Sequence, residues 1–304
     1  MTGRGLYVLA TGALALVQDL GRTGLAAVGV GRSGAADRGA YLLGNRLVGH
    51  TEHRGSLEVL LGGLVVRAEG RVTVALTGAV APATVDGRPV PHASVVEVPD
   101  GGELRLGTPA RGLRTYLAVR GGVDVEPVLG SRSTDTLSGV GPPRVVPGQR
   151  LPVGVPPTTF PTVDHAAGHP AHESPGALTL VPGPRSAWIG GVAALASTTW
   201  EVGRHSDRVG VRLTGTPVHR VARHRDVELP SEGLVRGAVQ LPPDGNPVVF
   251  LADHPVTGGY PVVAVLTEAS VDRAAQLRPG ETVQLVVAPS ELGRSRDLLP
   301  DPRS

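Results

Sequence analysis

The chain has 304 residues, 40 % of them apolar, and a net charge of +2 from 29 basic and 27 acidic side chains. It contains no cysteine and no lysine, so every basic residue other than histidine is arginine. These absences exclude disulfides, thiolate metal sites, a cysteine nucleophile, a Walker-type phosphate loop, a lysine Schiff base and a biotin carried on this chain's own side chains.

The length suggests about two domains. With 43 glycines and 28 prolines, many turns and short strands are expected, and 3 % aromatics leaves a core of Val, Leu and Ala. The arginines are scattered, without the basic stripe that nucleic acid binding requires. No apolar run reaches the roughly 20 residues of a membrane span. A cytoplasmic protein is expected.

In chain order, GRGLYVLATGALALVQDLG at 3–21 has the look of a leader peptide, with Arg4, an apolar run and Ala13-Leu14-Ala15. We read it instead as two strands turning at Thr11-Gly12. Ala36–Leu47 is the best helix, with Asp37 in its first turn, where the helix dipole favours an anion. Strand-like runs follow at Ser56–Val59, Leu64–Arg67, Val72–Leu76, Val95–Val98, Glu103–Leu106 and Arg114–Val119. Residues 1–155 then form a first β domain and 156–177 a Pro/His-rich connector. A second β domain spans 178–290, before a tail at 291–304. Its strands are Leu178–Val181, Thr199–Val202, Val209–Leu213, Val248–Leu251, Val262–Leu266 and Val283–Val287, with short helices at Ser186–Leu195 and Ser270–Leu277. Gly148-Gln149-Arg150-Leu151 and Gly280-Glu281-Thr282-Val283 hint at an internal repeat.

Gly29-Val30-Gly31-Arg32-Ser33-Gly34 fits the dinucleotide pattern G-x-G-x-x-G, but strands rather than βαβ units follow it. A glycine turn entering a helix, with an anion of some kind at the helix end, is the better reading. His165, His169 and His172 fall in the connector, and we read them as solvated rather than as metal ligands. There is no G-x-S-x-G elbow.

Three clusters combine charge, hydrogen-bonding side chains and glycine. One holds Gln18, Asp19 and Arg22; a second is Gly130-Ser131-Arg132-Ser133-Thr134-Asp135; the third runs from Gln240 to Asp253, His254 and Thr257-Gly258-Gly259-Tyr260. Polar binding surfaces are expected from Gln18, Arg22, Arg132, Asp207, Arg208 and Gln240, which sit in turns next to strands. Asp253 is the first choice for general base and His254 the second. Gly258 and Gly259 would let the backbone approach a ligand, Thr257 would line the site and Tyr260 would form an amphipathic wall. In the plainer alternative, Asp253 accepts backbone N–H groups in its own turn.

Taken together, VQDLGRTG, GVGRSGAADRGAYLLGNRLVG, SLEV, TGA, YLAVRGG, LGSRSTD, HSDRVGVRLTG, GAVQLPPDGNPVVFLADHPVTGGYP and AQLRPGE resemble, in order, the KipA-like family over roughly residues 6–288. The family is also called allophanate hydrolase subunit 2 or the biotin-dependent carboxyltransferase family, and many of its bacterial members are named as the C subunit of 5-oxoprolinase. The resemblance implies tandem cyclophilin-like β-barrel domains, a KipI-like partner (the B subunit) and a LamB/YcsF-like partner (the A subunit). It implies ATP-dependent opening of 5-oxo-L-proline to L-glutamate, with ATP bound in the complex. Alternatives from the same resemblance are a carboxyltransferase component, whose biotin would arrive on another chain, and a regulatory protein antagonising a KipI-type kinase inhibitor. The substrate in either enzymatic reading is a small amide.

Overall fold

The computed structural model describes residues 3–51, 54–166 and 176–289. The chain is mainly β. Its first half runs β1 (Gly5–Thr11), β2 (Leu14–Gln18), α1 (Arg38–Leu47), β3 (Ser56–Leu60), β4 (Leu64–Glu69), β5 (Val72–Gly78), β6 (Ala83–Val85), β7 (Arg88–Pro89), β8 (Val95–Val98), β9 (Glu103–Leu106), β10 (Arg114–Val119) and β11 (Arg150–Pro152). Gly12 makes the β1–β2 turn at φ 66°, where any Cβ would strike the Gly62 carbonyl. The strands form two sheets, in the orders β11-β1-β4-β9-β6-β7 and β2-β3-β10-β5-β8.

Leu6, Val8, Leu57, Leu64, Leu76, Leu117 and Leu151 fill the first core. The helix α1 packs on β5 and β10 of the five-stranded sheet, and every residue of β10 is buried. That is why RTYLAV does not alternate cleanly. Gly44 lets α1 approach, since a Cβ there would lie 3.0 Å from Thr77 Oγ1.

The second half runs β12 (Leu178–Pro182), α2 (Ala193–Ala196), β13 (Thr199–Val202), β14 (Gly210–Thr214), β15 (Glu232–Gly233), β16 (Ala238–Gln240), β17 (Val248–Phe250), β18 (Thr257–Gly258), β19 (Val262–Leu266), α3 (Glu268–Ala274) and β20 (Thr282–Val287). Seven of these strands close a barrel in the order β12-β19-β16-β17-β14-β13-β20, with β20 parallel to β12 at the closure. Leu180, Trp200, Val202, Leu213, Val239, Val263 and Leu285 belong to its core, and Trp200 Nε1 donates to the Leu195 carbonyl at 2.9 Å. The barrel is therefore packed with side chains.

Some expectations change. The predicted helix over 186–195 is a 3₁₀ turn at Ser186–Ile189 and a separate α2, because Gly190 and Gly191 between them take φ 73° and 104°. The repeat hint does not extend to topology: β11 runs antiparallel to β1, but β20 runs parallel to β12. The connector is tied down over its first part. Arg120 Nη2 donates to the carbonyls of Pro157 and Thr159 at 2.6 and 2.7 Å, and its guanidinium lies 3.7 Å from the Phe160 ring centroid. His165 Nδ1 lies 2.7 Å from Ser94 Oγ, while His169 and His172 lie outside the described residues.

Candidate functional site

The three polar clusters, far apart in sequence, meet at one seam. The first two interlock. Gln18 Nε2 donates to the Thr134 carbonyl at 2.8 Å, and Asp19 accepts from Ser131 Oγ at 2.7 Å, Ser133 Oγ at 2.5 Å and the Arg132 amide at 2.7 Å. Arg22 Nη2 donates to the Ser133 carbonyl at 2.5 Å. Gly21, at φ 79°, admits the chain because a Cβ would lie 2.3 Å from the Arg32 carbonyl.

The third cluster joins through Asp253, which is almost fully buried. Its carboxylate accepts five hydrogen bonds. Ser33 Oγ (2.7 Å), the Thr136 amide (2.8 Å) and Thr136 Oγ1 (2.7 Å) come from the first half, and Arg208 donates Nε at 2.9 Å and Nη2 at 3.0 Å. Arg208 also pairs with Glu58 through Nη1 and donates to the Gly34 carbonyl at 2.6 Å. Glu58 further accepts from Tyr116 OH at 2.8 Å and the Ala36 amide at 3.0 Å, and lies 3.4 Å from Arg114 Nε. Burial by itself would raise both carboxyls. Arg208 overrides it at Asp253, and Arg208 with Arg114 overrides it at Glu58, so both are held below the ordinary carboxylate range. A carboxylate with no spare lone pair and a depressed pKa is a poor general base and a good rivet. The geometry thus favours an anchoring role for Asp253, with donors reaching well beyond its own turn.

The helix end behind the glycine pattern holds carboxyl groups of the protein itself. Asp37 is the N-cap of α1 and accepts from the Ala40 amide at 2.9 Å. From the other half, Asp272 accepts from the Arg38 and Gly39 amides at 2.9 and 3.0 Å. The anion expected at this helix end is a carboxylate of the protein, which leaves these amides unavailable to a phosphate.

Two clefts open along the seam. The first, about 480 Å³, is lined by Leu14, Leu60, Leu137, Glu58, Asp207 and Arg208 among others. The second, about 360 Å³, is lined by Arg22, Arg32, Arg38, Arg236, His254 and Glu268, with Leu25, Val30, Leu234 and Val256 as apolar walls. His254 Nδ1 lies 2.8 Å from the Pro255 carbonyl. A carbonyl only accepts, so Nδ1 carries the proton and Nε2 keeps its lone pair. Burial holds the imidazole below its ordinary pKa and therefore neutral at pH 7.

The residues singled out from sequence are shared among these places rather than gathered in one pocket. Arg22 and His254 line the second cleft, and Asp207 and Arg208 the first. Asp207 accepts from the Val209 and Gly210 amides as a turn former. Arg132 pairs with Asp124 at 2.6 Å. Gln240 donates to the Tyr260 carbonyl at 2.8 Å, and a Cβ on Gly258 would lie 2.6 Å from Gln240 Nε2, so the Gln240 side chain would have to shift to admit one. Thr257 and Gly258 form a small ribbon with Glu232 and Gly233. Neither cleft draws lining residues from Thr257, Gly258, Gly259 or Tyr260, and neither Gly258 nor Gly259 has positive φ. Sequence reasoning passed over Glu58, Arg114, Ser33, Thr136, Arg38, Arg236 and Asp272. A usable signal existed for two of them: Glu58 and Arg114 are charges inside otherwise apolar strand runs.

This mainly β fold with a closed barrel is met in known proteins. The model of the carboxyltransferase domain, subdomain A and B, matches residues 28–287, and the chain belongs to that family. It is 34 % identical to the C subunit of 5-oxoprolinase from Escherichia coli (strain K12), over 92 % of this chain and 90 % of that protein. It is 32 % identical to urea amidolyase of Saccharomyces cerevisiae, over 93 % of this chain but 17 % of that protein. Among solved structures, the protein TTHA0988 superposes with a TM-score of 0.82 at 33 % identity, over 95 % of this chain and 57 % of that one. The Kluyveromyces lactis urea carboxylase superposes at 0.84 and 28 % identity, over 93 % of this chain and 27 % of that one. The chain thus spans a little over half of TTHA0988 and a smaller share of the fungal proteins.

Proposed function

We propose that this chain is the C subunit of an ATP-dependent 5-oxoprolinase, acting with a KipI-like B subunit and a LamB/YcsF-like A subunit. The observation that carries the reading is reciprocal coverage: the match takes in 90 % of the Escherichia coli 5-oxoprolinase component, against 17 % of the yeast urea amidolyase. In the reaction, water cleaves the lactam C–N bond, its hydroxyl going to the carbonyl carbon and its proton to nitrogen, while ATP is hydrolysed. Without lysine this chain offers no Walker-type phosphate site, so the ATP phosphates are assigned to a partner protein or to arginine.

A second reading, a carboxyltransferase component acting on urea or a similar amide, is favoured by the family description and by the likeness to urea carboxylase. Its biotin would ride on another chain. Co-expression with the KipI-like and LamB/YcsF-like proteins tests both. The first reading expects 5-oxo-L-proline-dependent release of phosphate and glutamate by the purified assembly. No such activity, together with carboxylation of urea when a biotinylated carrier is supplied, would transfer the chain to the second.

A further inference from the structure

Seven buried side-chain polar atoms among the described residues have no hydrogen-bond partner, and three of them belong to residues lining the second cleft: Arg22 Nη1, Arg38 Nε and Arg236 Nε. A buried donor left unmade is costly, more so on a charged group. These three residues crowd cationic side chains into the wall of one cavity without the fold pairing all of their donors.

The charge balance agrees. Arg22, Arg32, Arg38 and Arg236 line the cleft, and Glu268 is the one carboxylate among its described lining residues. Burial, then Arg236 and Arg32, pushes the Arg38 guanidinium down to about 10, as expected where cations crowd together. Arg22 and Arg236 are buried, and Arg236 is oriented from behind by Asp272 at 2.6 Å and the Ala36 carbonyl at 2.8 Å. Glu268 behaves differently. Its carboxylate lies 2.7 Å from Arg236 Nη1 and 3.8 Å from Arg38 Nη1, yet its side chain is 74 % exposed. It lies at the mouth of the cleft, paired with both arginines from an exposed position, as a stand-in for a ligand carboxylate would.

We propose that this cleft holds a small carboxylic acid bearing an amide or lactam N–H. Arg38 and Arg236 take its carboxylate when Glu268 swings out, and His254 Nε2 accepts from its N–H. Arginine suits the task because its planar fork matches a carboxylate. The assignment rests on the amide-hydrolase reading above and names the part of the substrate this chain holds.

The purified chain is titrated calorimetrically with 5-oxo-L-proline, with 2-pyrrolidinone, which keeps the lactam and lacks the carboxylate, and with inorganic phosphate. Expected is 5-oxo-L-proline binding at least about tenfold tighter than 2-pyrrolidinone, weakened about tenfold or more by Arg38→Gln and tightened by Glu268→Gln, with melting temperatures that show both variants folded. In the assembled complex Arg38→Gln raises KM with little change in kcat. Phosphate binding as tight as 5-oxo-L-proline, or indifference of both the titration and KM to Arg38→Gln and Glu268→Gln, overturns the proposal. The two readings fail separately. Lactam hydrolysis by a complex whose KM ignores Arg38→Gln removes the cleft assignment alone. Arg38-dependent binding in a complex that does not hydrolyse the lactam supports the cleft and removes the oxoprolinase reading.

Discussion

Arg208 is gripped by carboxylates from opposite halves, Glu58 on β3 and Asp253 after β17. Replacing it with methionine leaves two buried carboxylates facing each other. Arg208→Met is expected to cost on the order of 3–5 kcal/mol in urea denaturation, and adding Asp253→Asn should return part of that loss. Asp253→Asn alone turns an amide N–H₂ toward donors and removes charge from the pair. It should cost about 2–4 kcal/mol while turnover per folded complex stays within about threefold. A fall of about 10²-fold at unchanged melting temperature would instead make Asp253 the base.

Two other residues tilt stability in opposite directions with pH. Burial, then Arg54 and Arg120, pushes His50 from 6.5 down to about 4. Its Nδ1–H donates to Asn45 Oδ1 at 2.7 Å, and Nε2 accepts from the Gly121 amide at 2.9 Å. Because the unfolded imidazole takes a proton first, the His50 contribution is present above pH 6.5 and lost as pH falls from 6.5 toward 4. Asp37 runs the other way. Burial, then Asp272, raises it from 3.8 to about 7, so its contribution is present below 3.8 and is lost as pH rises from there toward 7. Unfolding free energies between about pH 4 and 8 should therefore show a shallower acid-side slope in His50→Gln and a shallower neutral-side slope in Asp37→Asn, relative to the parent.

At the scale of elements, α1 is the joint. Its inner face packs on β5 and β10, and its N-terminus receives Asp272 from α3. Asp272→Ala removes that cap and leaves Arg236 without one of its partners. The expected cost is about 1–3 kcal/mol, with faster amide exchange at Arg38 and Gly39 but not in the barrel strands. The strand-like runs and α1 were legible because each is set by local alternation, helix periodicity or a capping side chain. The predicted helix over 186–195 failed at a pair of glycines whose left-handed backbone the apolar pattern does not register. The two-residue strands β7, β15 and β18 carry too few residues to show any period.

At the scale of the whole molecule, the halves are riveted by charge as well as by apolar packing. Arg208, Asp253, Arg236, Asp272 and Gln276 all cross the seam, and Gln276 alone reaches Asp37, Leu113 and Arg114. Domain reorientation is thereby opposed, and partner binding should act on the clefts rather than by opening the seam. Under the proposed reading, this chain mixed at micromolar concentration with a KipI-like protein is expected to elute together with it on size exclusion; separate elution would remove the assembly reading for that pair.

The family, the mainly β class, the place of α1, the exclusion of lysine and cysteine chemistry and the three polar clusters were all legible from the residues in order. Each of these depends on composition, local period or motif order, all of which survive without knowing what touches what. Tertiary structure alone decided what the polar residues do. Asp253 and His254 are adjacent in the chain, yet one is saturated by Ser33, Thr136 and Arg208 while the other lines an arginine cleft with its Nε2 unprotonated. A carboxylate becomes a rivet or a base according to the donors that reach it. Here most of those donors arrive from more than a hundred positions away, over separations that no local pattern records.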